Sequence, residues 1–160
     1  MSNIQQNLKN LNIVIPQATV AVANYQPYIT SDKYLFISGQ LPMVDGKLKY
    51  NGKVGQNISI EQASEAAALC AINVLAQAQA ALNNLNKIKK LIKLTIFIAT
   101  SNDFTQHSYV GNGASDLFVN ILGEKGKHSR SAIGVNSLPF DAPVEIEAIF
   151  EIEKENNETI

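Results

Sequence analysis

Two residues in this 160-residue chain, Arg130 and Glu145, have the types and spacing best suited to chemistry on a small molecule. A guanidinium is a planar, permanently charged fork that can hold a carboxylate through two parallel hydrogen bonds. A second group, the carboxylate of Glu145 fifteen residues further on, could handle water beside a ligand held in that way. Ile133 and Val135 recur with period two, so Arg130 opens a predicted strand. On that strand it shares a face with Ala132, Gly134 and Asn136, whose short side chains leave room for a ligand. A following strand carries Val144, Ile146, Ala148 and Phe150 on one face and Glu145, Glu147, Ile149, Glu151 and Glu153 on the other. Most carboxylates in such a stripe simply solvate an exposed surface, and Arg130 and Glu145 could equally form a plain ion pair. Glu145 differs by position, as the first glutamate after the Leu138-Pro139-Phe140-Asp141-Ala142-Pro143 break, which cannot carry a ladder.

Bulk properties remove several classes of function. The length fits one domain with its own core. Thirteen Lys and Arg against fourteen Asp and Glu leave a net charge of −1, which provides no electrostatic footprint for nucleic acid and no polybasic membrane patch. The cluster Lys87, Lys89, Lys90 and Lys93 reads as a solvated connection. Cys70, the single cysteine, cannot form an internal disulfide, and its Ala-rich surroundings predict a buried structural thiol. His107 and His128 have no partners at metal-ligand spacing, so no metal site is expected. There is no Gly-rich phosphate loop, nucleophile elbow or zinc-protease helix. The opening Met-Ser-Asn-Ile-Gln-Gln-Asn lacks a basic, apolar leader, and Asn, Gln or Lys interrupt the apolar windows short of membrane-spanning length. The expectation is a cytoplasmic protein.

Positioning these residues requires a sheet with helices on it. Residues 1–17 read as an N-terminal arm, a short helix or a loose segment, weakly amphipathic through Ile4, Leu8, Leu11 and Ile13; residues 18–153 form the single domain and residues 154–160 a polar tail. Residues 18–23 and 34–38 are predicted strands about the turn Thr30-Ser31-Asp32-Lys33. Asp45-Gly46 and Asn51-Gly52 flank a short strand at 47–50. Ser59, with Gln62 three residues on, forms a capping box that opens a helix with an apolar stripe from Ala63 to Leu82. Residues 88–100 alternate as a long strand. Asn102-Asp103 is expected to cap a second helix that Gly123 stops, and Gly111-Asn112-Gly113 inside it marks a kink or a close approach of ligand or chain. The order β-β-(β)-α-β-α-β-β describes an α+β domain, a mixed sheet with two helices on one face. The other face, on which Arg130 and Glu145 are both expected to bear, then needs cover from an oligomer.

Several motifs in this order resemble the RidA/YjgF family of enamine and imine deaminases, historically also labelled L-PSP endoribonucleases. They are Tyr34-Leu35-Phe36-Ile37-Ser38-Gly39-Gln40-Leu41-Pro42, Lys93-Leu94-Thr95-Ile96-Phe97-Ile98, Asn102-Asp103-Phe104, Arg130-Ser131-Ala132, Leu138-Pro139 and Val144-Glu145-Ile146-Glu147-Ala148-Ile149. The resemblance implies a chorismate-mutase-like fold assembled as a homotrimer with three inter-subunit clefts, and no metal or organic cofactor. It gives Arg130 the substrate carboxylate and Glu145 the hydrolytic water. Tyr25, Ser38 and Gly39 would come from the neighbouring subunit. Ala132 stands where the family usually has a cysteine whose backbone carbonyl is used. The chain departs from the family at Ala23-Asn24-Tyr25-Gln26-Pro27, in the longer interval from Asn102 to Arg130, at Asn112-Gly113-Ala114-Ser115-Asp116 and at His128, which is the pattern of a divergent branch.

The implied activity is hydrolysis of small 2-imino or 2-enamino acids to 2-oxo acids and ammonia. An alternative is a non-catalytic trimer that binds a small carboxylate metabolite through the same Arg130. Near-zero net charge and the lack of aromatic-rich basic stretches disfavour a ribonuclease.

Overall fold

The computed structural model describes residues 4–21 and 23–154. The rest of the polar tail, the first three residues of the arm, and Val22 within the 18–23 strand expectation lie outside the described residues.

Helix α1, Ile4–Asn10, is not a loose arm: it buries Ile4 and Leu8, and the Asn7 amide donates to Ile121 O at 2.9 Å. Strands β1, Tyr28–Ser31, and β2, Tyr34–Gln40, form the expected hairpin, but its first strand is not 18–23. The tight Asp32-Lys33 turn, with Asp32 at φ 51°, pairs Ser31 with Tyr34 and so places the partner strand immediately upstream of the turn. The described part of 18–23 has no regular structure, with Val20 83% exposed. It is tied instead to a helix, where buried Gln77 donates to Thr19 O at 2.8 Å. The short strand expected at 47–50 is β4, Lys47–Leu48, paired with β3, Met43–Val44, in a separate ribbon. Asp45 and Gly46 both take positive φ in that turn, as a two-residue hairpin connection requires.

The capping box is present at the start of α2, Ile60–Leu82: Gln62 N–H donates to Ser59 Oγ at 3.1 Å, and Ser59 N–H to Gln62 Oε1 at 3.0 Å. This 23-residue helix is long and apolar enough to cross a membrane by length and composition, contrary to the expectation from interrupted windows. Its alanine-rich face is instead core, buried through Ala63, Ala66, Ala67, Cys70 and Val74. Strand β5, Ile88–Ala99, follows and buries Leu91, Leu94, Ile96 and Ile98. Helix α3, His107–Leu122, starts later than Asn102-Asp103 predicts, because Phe104 N–H closes a turn onto Ser101 O at 3.2 Å before the helix begins. Gly111 and Gly113 do not break it. Small residues there let helix backbones and side chains approach closely: a Cβ on Gly113 would overlap Ser64 O of α2 and lie 2.6 Å from Ser64 Oγ.

Strand β6, Ser129–Val135, runs parallel to β5, and β7, Val144–Ile152, antiparallel between β2 and β5. The sheet order is β1-β2-β7-β5-β6, mixed as expected, with α2 and α3 on one face. The opposite face exposes Ile29 (51%), Phe36 (41%) and Ile133 (44%). Ile29, Phe36, Ile149 and Lys93 form one row across it, since each is paired with the next.

Gly113→Ala should therefore lower stability by roughly 1–3 kcal/mol, the scale of overpacking, because a helix backbone must yield. The urea midpoint reads this. A Cβ on Gly111 meets nothing closer than 3.2 Å, so Gly111→Ala should cost less.

Candidate functional site

Two groups of site residues lie on opposite faces of the sheet. In the β2–β7 pair Ile37 faces Ala148 but Gln40 faces Ile146, so one extra residue bulges from β2 at Ser38-Gly39. The bulge receives Glu145. A Cβ on Gly39 would overlap Glu145 Oε1, so only a residue without a side chain lets this carboxylate occupy its place. Ser38 N–H donates to Pro27 O at 3.0 Å and Ser38 Oγ to Gln26 O at 2.7 Å, which holds the segment carrying Tyr25 beside the bulge. Tyr25 itself is 51% exposed. Ser38 also borders an open depression of about 260 Å³ lined by Phe36, Lys93, Thr95, Glu147 and Ile149.

Glu145 is half-buried, and desolvation, with the Glu147 charge as a smaller cause, raises its pKa above the ordinary 4.5. Cys70 lies behind it on the helix side, its Sγ–H 3.5 Å from Val144 O. Burial, and secondarily the Glu145 charge, push this thiol well up, consistent with an inert structural role.

Arg130, the only arginine in the sequence, lies on the other face. It pairs across the ladder with Leu94, a core residue facing the helices, whereas Glu145 pairs with Phe97 on the open face. Strand β5 also separates their strands. Two expectations are corrected by this alternation: Arg130 does not bear on the uncovered face, and within one protomer it shares neither an ion pair nor a pocket with Glu145. The strand face of Arg130 is also less vacant than its short residues suggest. Ala132 packs against the core, and a Cβ on Gly134 would lie 2.6 Å from His107 Nε2.

Helix α3 fills the space over Arg130. Nη1 donates to Asn112 Oδ1 and Ser115 Oγ, both at 3.0 Å, and Nη2 approaches Ser108 O at 3.5 Å. Ser115 Oγ lies 2.9 Å from His128 Nε2, and His128 Nδ1 2.6 Å from Gly126 O. Sequence reasoning marked Asn112, Ser115 and His128 as departures without assigning them a role. The signal was the i, i+4, i+7 spacing of Ser108, Asn112 and Ser115, which puts them on one stripe of the helix. Among the described residues no group of three His, Cys, Asp or Glu side chains could hold a metal.

A mixed sheet with two helices on one face defines a small α+β domain, with a glycine bulge against a raised-pKa glutamate on one side of the sheet and a braced arginine on the other. Residues 6–150 match the family described as "YjgF/chorismate_mutase-like, putative endoribonuclease", and the chain belongs to that family. It is 41% identical to protein TCP17 of Trypanosoma cruzi over 150 residues, 93% of this chain and 94% of that one. Protein Atu1372 from Agrobacterium tumefaciens superposes with a TM-score of 0.89 at 48% identity, covering 94% of this chain and 92% of that one. TdcF from E. coli, solved with bound serine, superposes with a TM-score of 0.63 at 26% identity, covering 86% and 94%.

Proposed function

We propose that this protein hydrolyses small 2-imino acids to 2-oxo acids and ammonia, as a homotrimer whose clefts join Arg130 of one protomer to the bulge of the next. The observation that carries the reading is Glu145, a half-buried carboxylate of raised pKa seated against Gly39. A base of raised pKa is better matched to proton transfer near neutrality than an ordinary glutamate. Arg130 holds the substrate carboxylate. Glu145 takes a proton from water as the water oxygen bonds to the carbon of the protonated imine, then gives that proton to the carbinolamine nitrogen; the C–N bond breaks as the C=O forms, and the departing ammonia carries off the hydroxyl proton as ammonium. The Ser38-Gly39 bulge and Tyr25 contribute polar groups beside the reacting centre, and Ala132, on the face of Arg130, lines the clamp side.

Because Arg130 and Glu145 occupy opposite faces of one sheet, a cleft holding both takes them from two protomers. The row of exposed Ile29 and Phe36 beside half-buried Ile149 supports burial of the open face in such an assembly. Light scattering of the purified protein should then report about three times the 17.4 kDa chain mass, and a stable monomer at micromolar concentration would rule out the shared cleft. The activity is tested by ammonia release from 2-iminobutyrate generated in situ. A rate no higher than spontaneous hydrolysis, with 2-oxobutyrate still bound, would favour the second reading, a trimer that only binds small carboxylates. That reading draws support from TdcF, whose structure holds serine. A net charge of −1 gives little support to ribonuclease action.

A further inference from the structure

The guanidinium of Arg130 is held in place by a directed chain of hydrogen bonds. A carbonyl can only accept, so the 2.6 Å contact to Gly126 O places the proton of the neutral His128 ring on Nδ1 and leaves Nε2 as an acceptor. Ser115 has one hydroxyl proton. Its oxygen receives Nη1–H of Arg130 at 3.0 Å, so its own proton goes to His128 Nε2 at 2.9 Å. The imidazole is further set edge-on against the Phe118 ring, with centroids 6.4 Å apart. The second Nη1 hydrogen goes to Asn112 Oδ1 at 3.0 Å. Gly111 keeps the lane open, since a Cβ there would stand 3.2 Å from Nη1.

Every hydrogen of Nη1 is thus committed, and among the described residues Nε–H has no partner. Nη2 gives one hydrogen to Ser108 O at 3.5 Å, so the donors left for a ligand are Nε–H and the remaining Nη2–H, a pair that a carboxylate can accept. Arg130 borders a depression of about 300 Å³ together with Ser115, Val119, Lys127 and His128. An arginine on an edge strand would otherwise sample many rotamers and lose that freedom on binding.

Resting on the reading of Arg130 as carboxylate anchor, we propose that Asn112 and Ser115, with His128 behind Ser115, are positioning residues that keep the Nε/Nη2 edge of Arg130 preset for a carboxylate. They touch the arginine, not the substrate. Their contribution is to the discrimination of an acid from its neutral amide, because only the acid uses both donors.

The test compares pyruvate with pyruvamide by calorimetric titration of the full-length protein. Ser115→Ala and Asn112→Ala should each weaken pyruvate binding roughly three- to tenfold, the scale of one ordinary net hydrogen bond acting through orientation, and leave pyruvamide within about twofold. His128→Phe, which keeps a ring against Phe118, should act in the same direction, and Ser115→Thr should restore the acid preference. Asn112 is exposed, so its variant keeps the test valid if a replacement at Ser115 misfolds. Should Arg130→Ala abolish the acid preference while the Ser115 and Asn112 variants keep it, the arginine anchors the ligand unaided and the inference is overturned. Should Arg130→Ala itself retain that preference, the anchor reading fails and the inference with it. Equal weakening of acid and amide would mean only a general structural effect, which also overturns it.

Discussion

Replacing Glu145 with Gln should lower kcat for 2-iminobutyrate by at least about tenfold, toward the roughly 10²–10⁴ of general acid–base groups, with product affinity nearly unchanged. Gln keeps the shape beside Gly39 and removes the base. Glu147→Gln is the control, since Glu147 is exposed on the same face and has no assigned role. Gly39→Ala should reach a similar loss by another route, because its Cβ would displace the Glu145 carboxylate. The base must be ionised to work, so the acid limb of the kcat profile should lie above the ordinary 4.5 and vanish in Glu145→Gln. Stability separates this from unfolding. A glutamate with a raised folded pKa favours the fold fully below its unfolded value and loses that contribution as pH rises through the folded one. The Gln variant stays neutral throughout, so at pH 8 it should melt no lower than the wild type. Equal loss of kcat in both glutamine variants, or none in either, would reduce the stripe to a solvated face.

Arg130→Lys should weaken binding of 2-oxobutyrate by roughly 1–3 kcal/mol, about five- to 160-fold, although the charge is retained. An ammonium is a point charge. It cannot occupy both Asn112 and Ser115 through one nitrogen and still present two parallel donors to a carboxylate. The helix stripe would therefore compete with the ligand for the lysine. Titration calorimetry measures the change, and an unaltered affinity would place the ligand elsewhere.

Much of the fold was legible in residue order because its signals are local. Ser59 and Gln62 close their capping box across three residues. The alternation of residues 144–152 and 94–98 records which side chains meet the core, whereas before residue 94 irregularities in the β5 register bury Leu91 rather than Ile92. The α+β class and the mixed sheet follow from these periods. Failures occurred where a local signal had competing uses. The apolar residues near position 20 alternate like a strand, yet the Asp32-Lys33 turn dictates a different partner. Asn102 and Asp103 resemble a cap, yet the turn to Phe104 delays the helix.

The candidate site divides the same way. Residue types and spacing were enough to single out Arg130, Glu145 and the Ser38-Gly39 pair. What they could not supply was relative placement. Alternation along one strand is a property of the chain, but whether residues of different strands share a face depends on register, and register is fixed by pairing between distant segments. Phe97 carries Glu145 to one face while Leu94 carries Arg130 to the other. Ser115 and His128 are thirteen residues apart, and they meet because the parallel β5–β6 pair brings the chain back beneath α3. Residue types offer this protein a guanidinium and a carboxylate; which groups meet them follows from packing, because contact between distant residues exists only after the sheet and helices have come together.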